Sequence, residues 1–349
     1  AVFGHIGDRY GRARALFLSV AMMAIPTVLM GLLPTYESIG VAASFLMVAL
    51  RMCQGVAIGG EFTASIVFLG ENAPAPSRGF FASFSMFGAS FGTMLGSTVG
   101  GLLTRAMSPE ALMSWGWRAA FVSGIAVAFI GIVIRRGMLD SPGKGAVASP
   151  LRVAFRDHRW GVLRILGLNV ASAATYYTLF VYAATWVAQT TKIERAVALD
   201  LTTVTILTFL VVLPTTAWLS DRYGRKLVLV AGMSACLLLC YPLVTVMHAG
   251  SVATTAAAQM AFGGLLAMQM AAIPAAMTEM FPQGVRVSAV SVGYGLAYAI
   301  FGGTAPAVAT WLITRSGSET AFAWYLTALT AVSLVVALGI PDRRGKPLS

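Results

Sequence analysis

Arg51-Met-Cys-Gln-Gly-Val-Ala-Ile-Gly-Gly-Glu61 lies within a run from Val41 to Leu69 that is otherwise apolar or small. If that run crosses a bilayer, a lone arginine and a lone glutamate at depth are costly, so each needs a partner or a water-filled cavity. At about 100° per residue, Gln54, Glu61 and Ser65 fall within roughly 80° of Arg51 around a helix axis. The strong polarity is therefore expected on one narrow face.

The surrounding chain supports the membrane reading. Its 349 residues are 58% hydrophobic and 11% charged, with a mean hydropathy of +0.79. Soluble domains carry about 25% charged residues, so this chain lacks the polar surface to cover itself. It reads as an all-α, polytopic membrane protein. Apolar runs long enough to span lie near 15–33, 41–69, 80–104, 116–135, 162–188, 199–219, 227–247, 254–279, 287–313 and 321–340. That predicts ten complete spans. The opening residues, which begin at Ala1 rather than Met, read as the remnant of an earlier span in an incomplete chain.

The net charge of +11 does not point to nucleic acid, because the basic residues sit in short loops and form no basic domain. Of the Lys and Arg residues, eighteen fall in one set of alternate loops and five in the other, with Arg51 left in the membrane. The positive-inside rule then puts the first loop and the C-terminus in the cytoplasm, as in a multi-pass protein of a bacterial plasma (inner) membrane. Cys53, Cys236 and Cys240 all lie in apolar runs and read as buried thiols. No metal-ligand spacing, phosphate loop or nucleophile–base constellation is present, so no cofactor, no metal and no enzymatic activity are expected.

The interval 140–161 is the longest polar stretch and divides the chain into an N-terminal bundle (1–139) and a C-terminal bundle (162–349). Within it, apolar Leu151, Val153, Ala154 and Phe155 interleave with Arg152, Arg156 and Arg159, a pattern fitting either a short amphipathic surface helix or a solvated basic loop. Two motifs recur across the divide. Asp8-Arg-Tyr-Gly-Arg12 returns as Asp221-Arg-Tyr-Gly-Arg225, and Glu71-x-x-Pro74-x-x-x-Arg78 returns as Glu279-x-x-Pro282-x-x-x-Arg286. Two matches in the same order, at offsets of 213 and 208, indicate a duplicated bundle.

The repeated loops suggest a gate. Gly11 and Gly224 suit a tight turn, and Asp8 and Asp221 can accept hydrogen bonds from a neighbouring helix N-terminus. Glu71 and Glu279 can pair with loop arginines. Asp8, Arg9, Gly11, Arg12, Glu71, Arg78, Asp221, Arg222, Gly224, Arg225, Glu279 and Arg286 thus form a candidate cytoplasmic latch. The bland reading of the same residues is a set of short basic turns.

These motifs carry a resemblance. Gly4-x-x-x-Asp8-Arg9-x-Gly11-Arg12 resembles the loop signature of the major facilitator superfamily. Arg51-x-x-Gln54-Gly55 followed by Gly59-Gly60-Glu61 resembles its metabolite:proton symporter family, as do Trp115-Gly-Trp-Arg118, Glu279-Met-Phe-Pro282 and Ala299-Ile-Phe-Gly-Gly-Thr-Ala-Pro306. Ala13, Ala217 and Gly295 depart from the family pattern. The resemblance implies a twelve-span fold of two pseudo-symmetric six-helix bundles. By that count the first span and most of the second lie outside this sequence, together with the expected partners of Arg51 and Glu61.

Glu61 is the candidate proton carrier, with Arg51 as its modulator or as the counter-charge to a substrate carboxylate. The alternative is a structural Arg51–Glu61 pair. Asn169, Ser172, Tyr176 and Phe180 share one stripe of a later span, with Tyr177 beside it; an aromatic face with a polar handle suits a small organic solute or a quaternary ammonium. Trp186 reads as an interface anchor, and Gln259 and Gln269 as interhelical hydrogen-bond formers. Gly88, Gly92, Gly96 and Gly100 form a line on which another helix can approach closely.

The expected function is proton-coupled import of a small organic acid such as 2-oxoglutarate or citrate. Glu319-Thr-Ala-Phe-Ala-Trp-Tyr325 resembles the last span of 2-oxoglutarate carriers, and a proline/betaine substrate is the alternative. The expected partners are the solute, protons and the lipid bilayer, with the protein a monomer. A non-transporting sensor or scaffold, or an inactive truncated permease, is the reading from a different class.

Overall fold

Each of the ten apolar runs folds as helix in the computed structural model, which describes residues 12–135 and 150–348. No strand occurs among the described residues. Among the described residues, eight helices are long and apolar enough to cross a membrane: Val41–Asn72, Ala75–Ala106, Pro109–Gly131, Arg159–Thr190, Arg195–Tyr223, Arg225–Ala249, Val252–Glu279 and Arg286–Ser316. Leu18–Leu32 and Phe322–Leu338 are apolar but shorter. A hydrocarbon layer of about 30 Å needs about 20 residues at 1.5 Å each, so the ten full spans expected become eight with two short ones. The opening remnant lies outside the described residues.

The chain divides into two units, Ala1–Ala64 with Leu102–Leu151, and Ser65–Gly101 with Arg152–Ser349. In the first, Arg12–Leu32 packs on Trp117–Val122 and Gly124–Arg135. In the second, Val252–Met270 packs on both Arg195–Tyr223 and Arg225–Ala249, and Phe322–Leu338 packs on Arg225–Ala249 and Arg159–Tyr177. Burial follows this packing. Arg159–Thr190 and Val252–Glu279 have 72% of their apolar windows buried, whereas Val41–Asn72 has 17%.

Small residues set the helix spacing in the second unit. A Cβ at Gly232 would stand 2.7 Å from the Met268 carbonyl carbon, and one at Gly293 would stand 2.8 Å from the Ile165 side chain. Such closeness is what lets backbones touch in a membrane protein. The line Gly88, Gly92, Gly96 and Gly100 does not serve this purpose. A Cβ at any of the four would meet nothing within 4 Å among the described residues, so the expected close helix contact falls at other glycines. The turn between Arg195–Tyr223 and Arg225–Ala249 does need its glycine: Gly224 has φ +107°, and a Cβ there would strike the Asp342 carboxylate.

Among the described residues three helices are interrupted by π-helical turns, at Leu112–Gly116, Thr178–Tyr182 and Tyr298–Gly302. Such turns gather at functional sites, and here two of them adjoin the tyrosines described below. Of the interval 140–161, residues up to 149 lie outside the described residues, and Pro150–Asp157 is helical with Ala154 buried and Arg156 exposed.

Two expectations are corrected by burial. Cys236 and Cys240 are buried but Cys53 is exposed, because its helix covers so little of itself. Trp186 is no surface anchor: it is 1% exposed, donates from Nε1 to the Glu319 carbonyl at 3.0 Å, and meets the Phe322 ring edge-on.

Candidate functional site

The polar face of Val41–Asn72 finds its partners on the preceding helix. Arg51 Nη1 donates to Gln54 Oε1 at 3.3 Å, and Gln54 Nε2 donates to Thr27 Oγ1 at 2.6 Å. The Thr27 hydroxyl passes its own hydrogen bond to the Met23 carbonyl at 2.6 Å. The Arg51 guanidinium carbon also lies 5.8 Å from the centroid of the Phe121 ring, within cation–π range. Farther along, Ser19 Oγ donates to Glu61 Oε2 at 3.0 Å.

These contacts correct two expectations. The partners of the polar face were expected on spans outside the sequence, yet Ser19 and Thr27 both lie in Arg12–Leu32. Arg51 and Glu61 were a candidate ion pair. Ten residues of helix separate them by about 15 Å, and each charged group is engaged by other side chains. Arg51 is exposed and Glu61 is half-buried.

In the second unit the repeated loop motifs assemble into one charged network. Arg78 Nη1 and Arg225 Nη2 both donate to Glu279 Oε1, at 3.2 and 3.3 Å. Arg225 Nη1 donates to Asp221 Oδ1 at 2.6 Å and to Ser220 Oγ at 2.9 Å. Asp221 in turn accepts from the backbone N–H groups of Gly79 and Phe80, each at 2.8 Å. Those groups open Arg78–Ala106, so the carboxylate sits at the positive end of that helix.

A second pair, Arg286 Nη1 to Glu71 Oε1 at 2.5 Å, repeats the pattern with the motif copies exchanged. Arg78, Arg225 and Arg286 are 3%, 1% and 1% exposed. Buried charges of this kind survive only when paired, and removing one partner of such a pair costs about 3–5 kcal/mol. Arg222 stays apart from the network: it stacks on Trp218, with its guanidinium carbon 4.6 Å from the ring centroid, while its carbonyl accepts from Arg344. Asp8, Arg9, Gly11 and the side chain of Arg12 lie outside the described residues.

The aromatic stripe also lies in the second unit. Tyr176 OH shares hydrogen bonds with Thr93 Oγ1 at 3.1 Å and Ser90 Oγ at 3.4 Å. Its ring stands edge-on to Phe180 at 4.8 Å, and Tyr177 stands edge-on to Tyr298 at 6.4 Å. Tyr298 stacks on Tyr294 at 4.1 Å. Asn169 is fully buried, its Nδ2 donating to the Ile165 carbonyl at 2.8 Å and to the Met277 sulfur at 3.4 Å, and its Oδ1 has no partner among the described residues. Gln269 donates to Ser172 at 3.4 Å and Gln259 to Thr202 at 3.5 Å. Each also leaves its side-chain carbonyl without a partner among the described residues.

Ser19, Thr27, Ser90, Thr93, Phe121, Tyr294 and Tyr298 escaped the sequence reading. Serines and threonines in apolar helices usually bond the carbonyl four residues back, so nothing in their spacing separates a site residue from a self-satisfied one. Tyr294 and Tyr298 stand four apart, the helical spacing of ring pairs, and that signal was available.

Comparison with known proteins agrees with this architecture. The family model described as Major Facilitator Superfamily matches residues 1–182 and again residues 165–348. The chain is 29% identical over 99% of its length to the glycine betaine/proline/ectoine/pipecolic acid transporter OusA of Dickeya dadantii (strain 3937), covering 72% of that protein. It is 31% identical to the alpha-ketoglutarate permease of Escherichia coli (strain K12), covering 99% of this chain and 80% of that one. It is 30% identical to the shikimate transporter of the same organism, covering 98% and 80%. Among solved structures, the proton:xylose symporter XylE bound to 6-bromo-6-deoxy-D-glucose superposes with a TM-score of 0.79 at 19% identity, over 99% of this chain and 83% of that one. The E. coli fucose:proton symporter FucP superposes with a TM-score of 0.65 at 18% identity, over 97% and 86%. At those identities the likeness is one of fold.

Proposed function

Because the chain belongs to the major facilitator superfamily, and is thus a multi-pass membrane solute transporter rather than an enzyme, we propose that it imports a small carboxylate-bearing organic acid together with protons. The observation that carries this reading is the polar face of Val41–Asn72. Arg51 is exposed, is steadied by Gln54 and the Phe121 ring, and presents a guanidinium able to grip a carboxylate by two parallel hydrogen bonds. Glu61, on the same helix as Arg51 and held by Ser19 of Arg12–Leu32, is the carboxyl that takes up and releases the coupled proton. A 2-oxoglutarate- or citrate-like acid fits this chemistry, and the alpha-ketoglutarate permease relative supports it.

Transport proceeds by alternating access of two pseudo-symmetric halves, 1–139 and 162–349, joined by 140–161. The first loop and the C-terminus face the cytoplasm. The network of Arg78, Asp221, Arg225 and Glu279, with the Glu71–Arg286 pair, then acts as a cytoplasmic latch. Its ion pairs hold one state and separate in the other.

A second substrate reading rests on a different observation. Tyr176, Tyr177, Phe180 and Tyr298 form an aromatic group with one polar handle, which suits the cation of a betaine or proline, and OusA is a relative of that kind.

The test is uptake by the full chain in liposomes under an imposed pH gradient, using labelled 2-oxoglutarate, labelled citrate, labelled proline and labelled betaine. Accumulation of an acid that collapses with a protonophore supports the first reading. Accumulation of proline or betaine alone replaces it with the second, and uptake indifferent to the pH gradient removes proton coupling.

A further inference from the structure

We propose that the second unit carries a binding site for a phosphate-type oxyanion, distinct from the transported solute and independent of which solute that is. The site is a cavity of about 60 Å³ lined by Gly161, Arg164, Arg225, Glu279, Ile340 and Arg343, among others. Three arginines and one glutamate are therefore among its walls. A water needs roughly 10–15 Å³ by this kind of measure, so the space holds several waters or one tetrahedral oxyanion.

Arg225 supplies the second observation. Its Nη1 is taken by Ser220 and Asp221, and its Nη2 by Glu279. Its Nε is buried with no partner, and is the one buried arginine donor so left among the described residues. A buried donor on a charged group that lacks an acceptor is costly, and an oxyanion in the cavity that Arg225 lines is the acceptor the proposal assigns to it.

The flanking cations are already positioned. Arg343 Nη1 is anchored on the Glu279 carbonyl at 3.0 Å, which holds its side chain at the cavity. Arg164 reaches it from Arg159–Tyr177 and is exposed at the rim. The Glu279 carboxylate opposes an anion, but its Oε1 is engaged by both Arg78 and Arg225, which offsets its charge. Planar guanidinium forks match phosphate oxygens well. Trp160, 66% exposed beside this wall, is a residue type that settles at headgroup level. A phosphate here has two sources, dissolved inorganic phosphate and the headgroup of an anionic lipid.

The experiment uses the full chain in a maltoside detergent, which contains no phosphate, and reads the thermal unfolding midpoint. One arm titrates inorganic phosphate against chloride at equal ionic strength. The other compares phosphatidylglycerol with diacylglycerol, which has the same tails and no phosphate. The proposal expects a saturable rise in midpoint with phosphate, with phosphatidylglycerol, or with both, and the responding arm identifies the source. In Arg164→Gln and Arg343→Gln the half-saturating concentration rises by roughly tenfold, the loss of one charge-assisted hydrogen bond. Arg343→Lys, which keeps the charge, recovers part of the response and guards against a folding defect. If neither probe raises the wild-type midpoint, or the rise is the same in both glutamine variants, the cavity holds water only and the proposal is overturned.

Discussion

Arg286 donates to Glu71 at 2.5 Å across 215 residues of chain, and the reverse exchange, Arg78 to Glu279 at 3.2 Å, spans 201. Each glutamate therefore neutralises the arginine of the other motif copy rather than its own. The repeats are cross-linked by swapped ion pairs. In Glu71→Gln or Arg286→Gln the largely buried Glu71–Arg286 ion pair is broken, which is expected to cost up to about 3–5 kcal/mol. Because Glu71 is 14% exposed, its loss belongs toward the lower end. A double-mutant cycle read by thermal unfolding should show a coupling of roughly 0.5–3 kcal/mol. Additive single effects would sink the swapped-pair account.

Asp221 has a different role, since it accepts from two backbone donors as well as from Arg225. Asp221→Asn keeps one oxygen but loses the charge at the helix start. The expected loss is about 1–2 kcal/mol from capping and dipole alone, with a further loss because Arg225 keeps only Glu279 as a charged partner. An Asp221→Asn protein that melts with the wild type would show that the helix start is satisfied by other groups.

Glycine positions separate into two classes that a stability series can tell apart. A Cβ at Gly79 would lie 2.5 Å from Arg225 Nη1 and 2.9 Å from the Ala217 carbonyl. Gly79→Ala is thus expected to cost about 1–3 kcal/mol by overpacking and to disturb the charged network. Gly92→Ala, which meets nothing within 4 Å, should stay within about 0.5 kcal/mol of wild type. Equal melting temperatures for the two variants would contradict these contacts.

For transport, Glu61→Gln is expected to abolish accumulation driven by a pH gradient while leaving solute exchange between equal pools intact. Wild-type uptake should rise as the outside becomes more acidic, and the variant should give a flat profile. A Glu61→Gln protein that still concentrates solute with pH would move the proton to another group.

Arg51→Gln should raise KM for a carboxylate substrate by roughly tenfold to a hundredfold, the equivalent of losing about 1.5–3 kcal/mol of charge-assisted hydrogen bonding. Tyr176→Phe removes the hydroxyl shared with Ser90 and Thr93 but keeps the ring. It should therefore spare a quaternary ammonium held by the π face. Inhibition constants for unlabelled 2-oxoglutarate and betaine in both variants would show which reading holds.

The order of apolar runs, the doubled motifs and the isolated charges at Arg51 and Glu61 were legible in the sequence, because hydropathy and helical spacing are local properties. The Asp-Arg-Tyr-Gly-Arg and Glu-x-x-Pro motifs were legible as a charge cluster for the same reason. Which arginine meets which glutamate was not legible. That choice is made by helices that are distant in sequence and brought to one end of the second unit, where burial forces every charge to find a partner.

The polar shell of Arg51 and Glu61 was equally hidden. Ser19 and Thr27 look like ordinary small residues of an apolar helix until packing sets them opposite Val41–Asn72. Packing also withdrew two sequence expectations. No described residue comes within 4 Å of a Cβ placed at Gly88, Gly92, Gly96 or Gly100, and Trp186 lies inside rather than at the surface. By itself, then, the sequence determined a helical membrane protein with a duplicated loop motif and a charged face at depth, since the cost of burying charge in an apolar run depends on composition alone. Only the tertiary structure decided the partners. Hydrogen bonds and ion pairs act over about 3 Å, a distance that no one-dimensional spacing specifies.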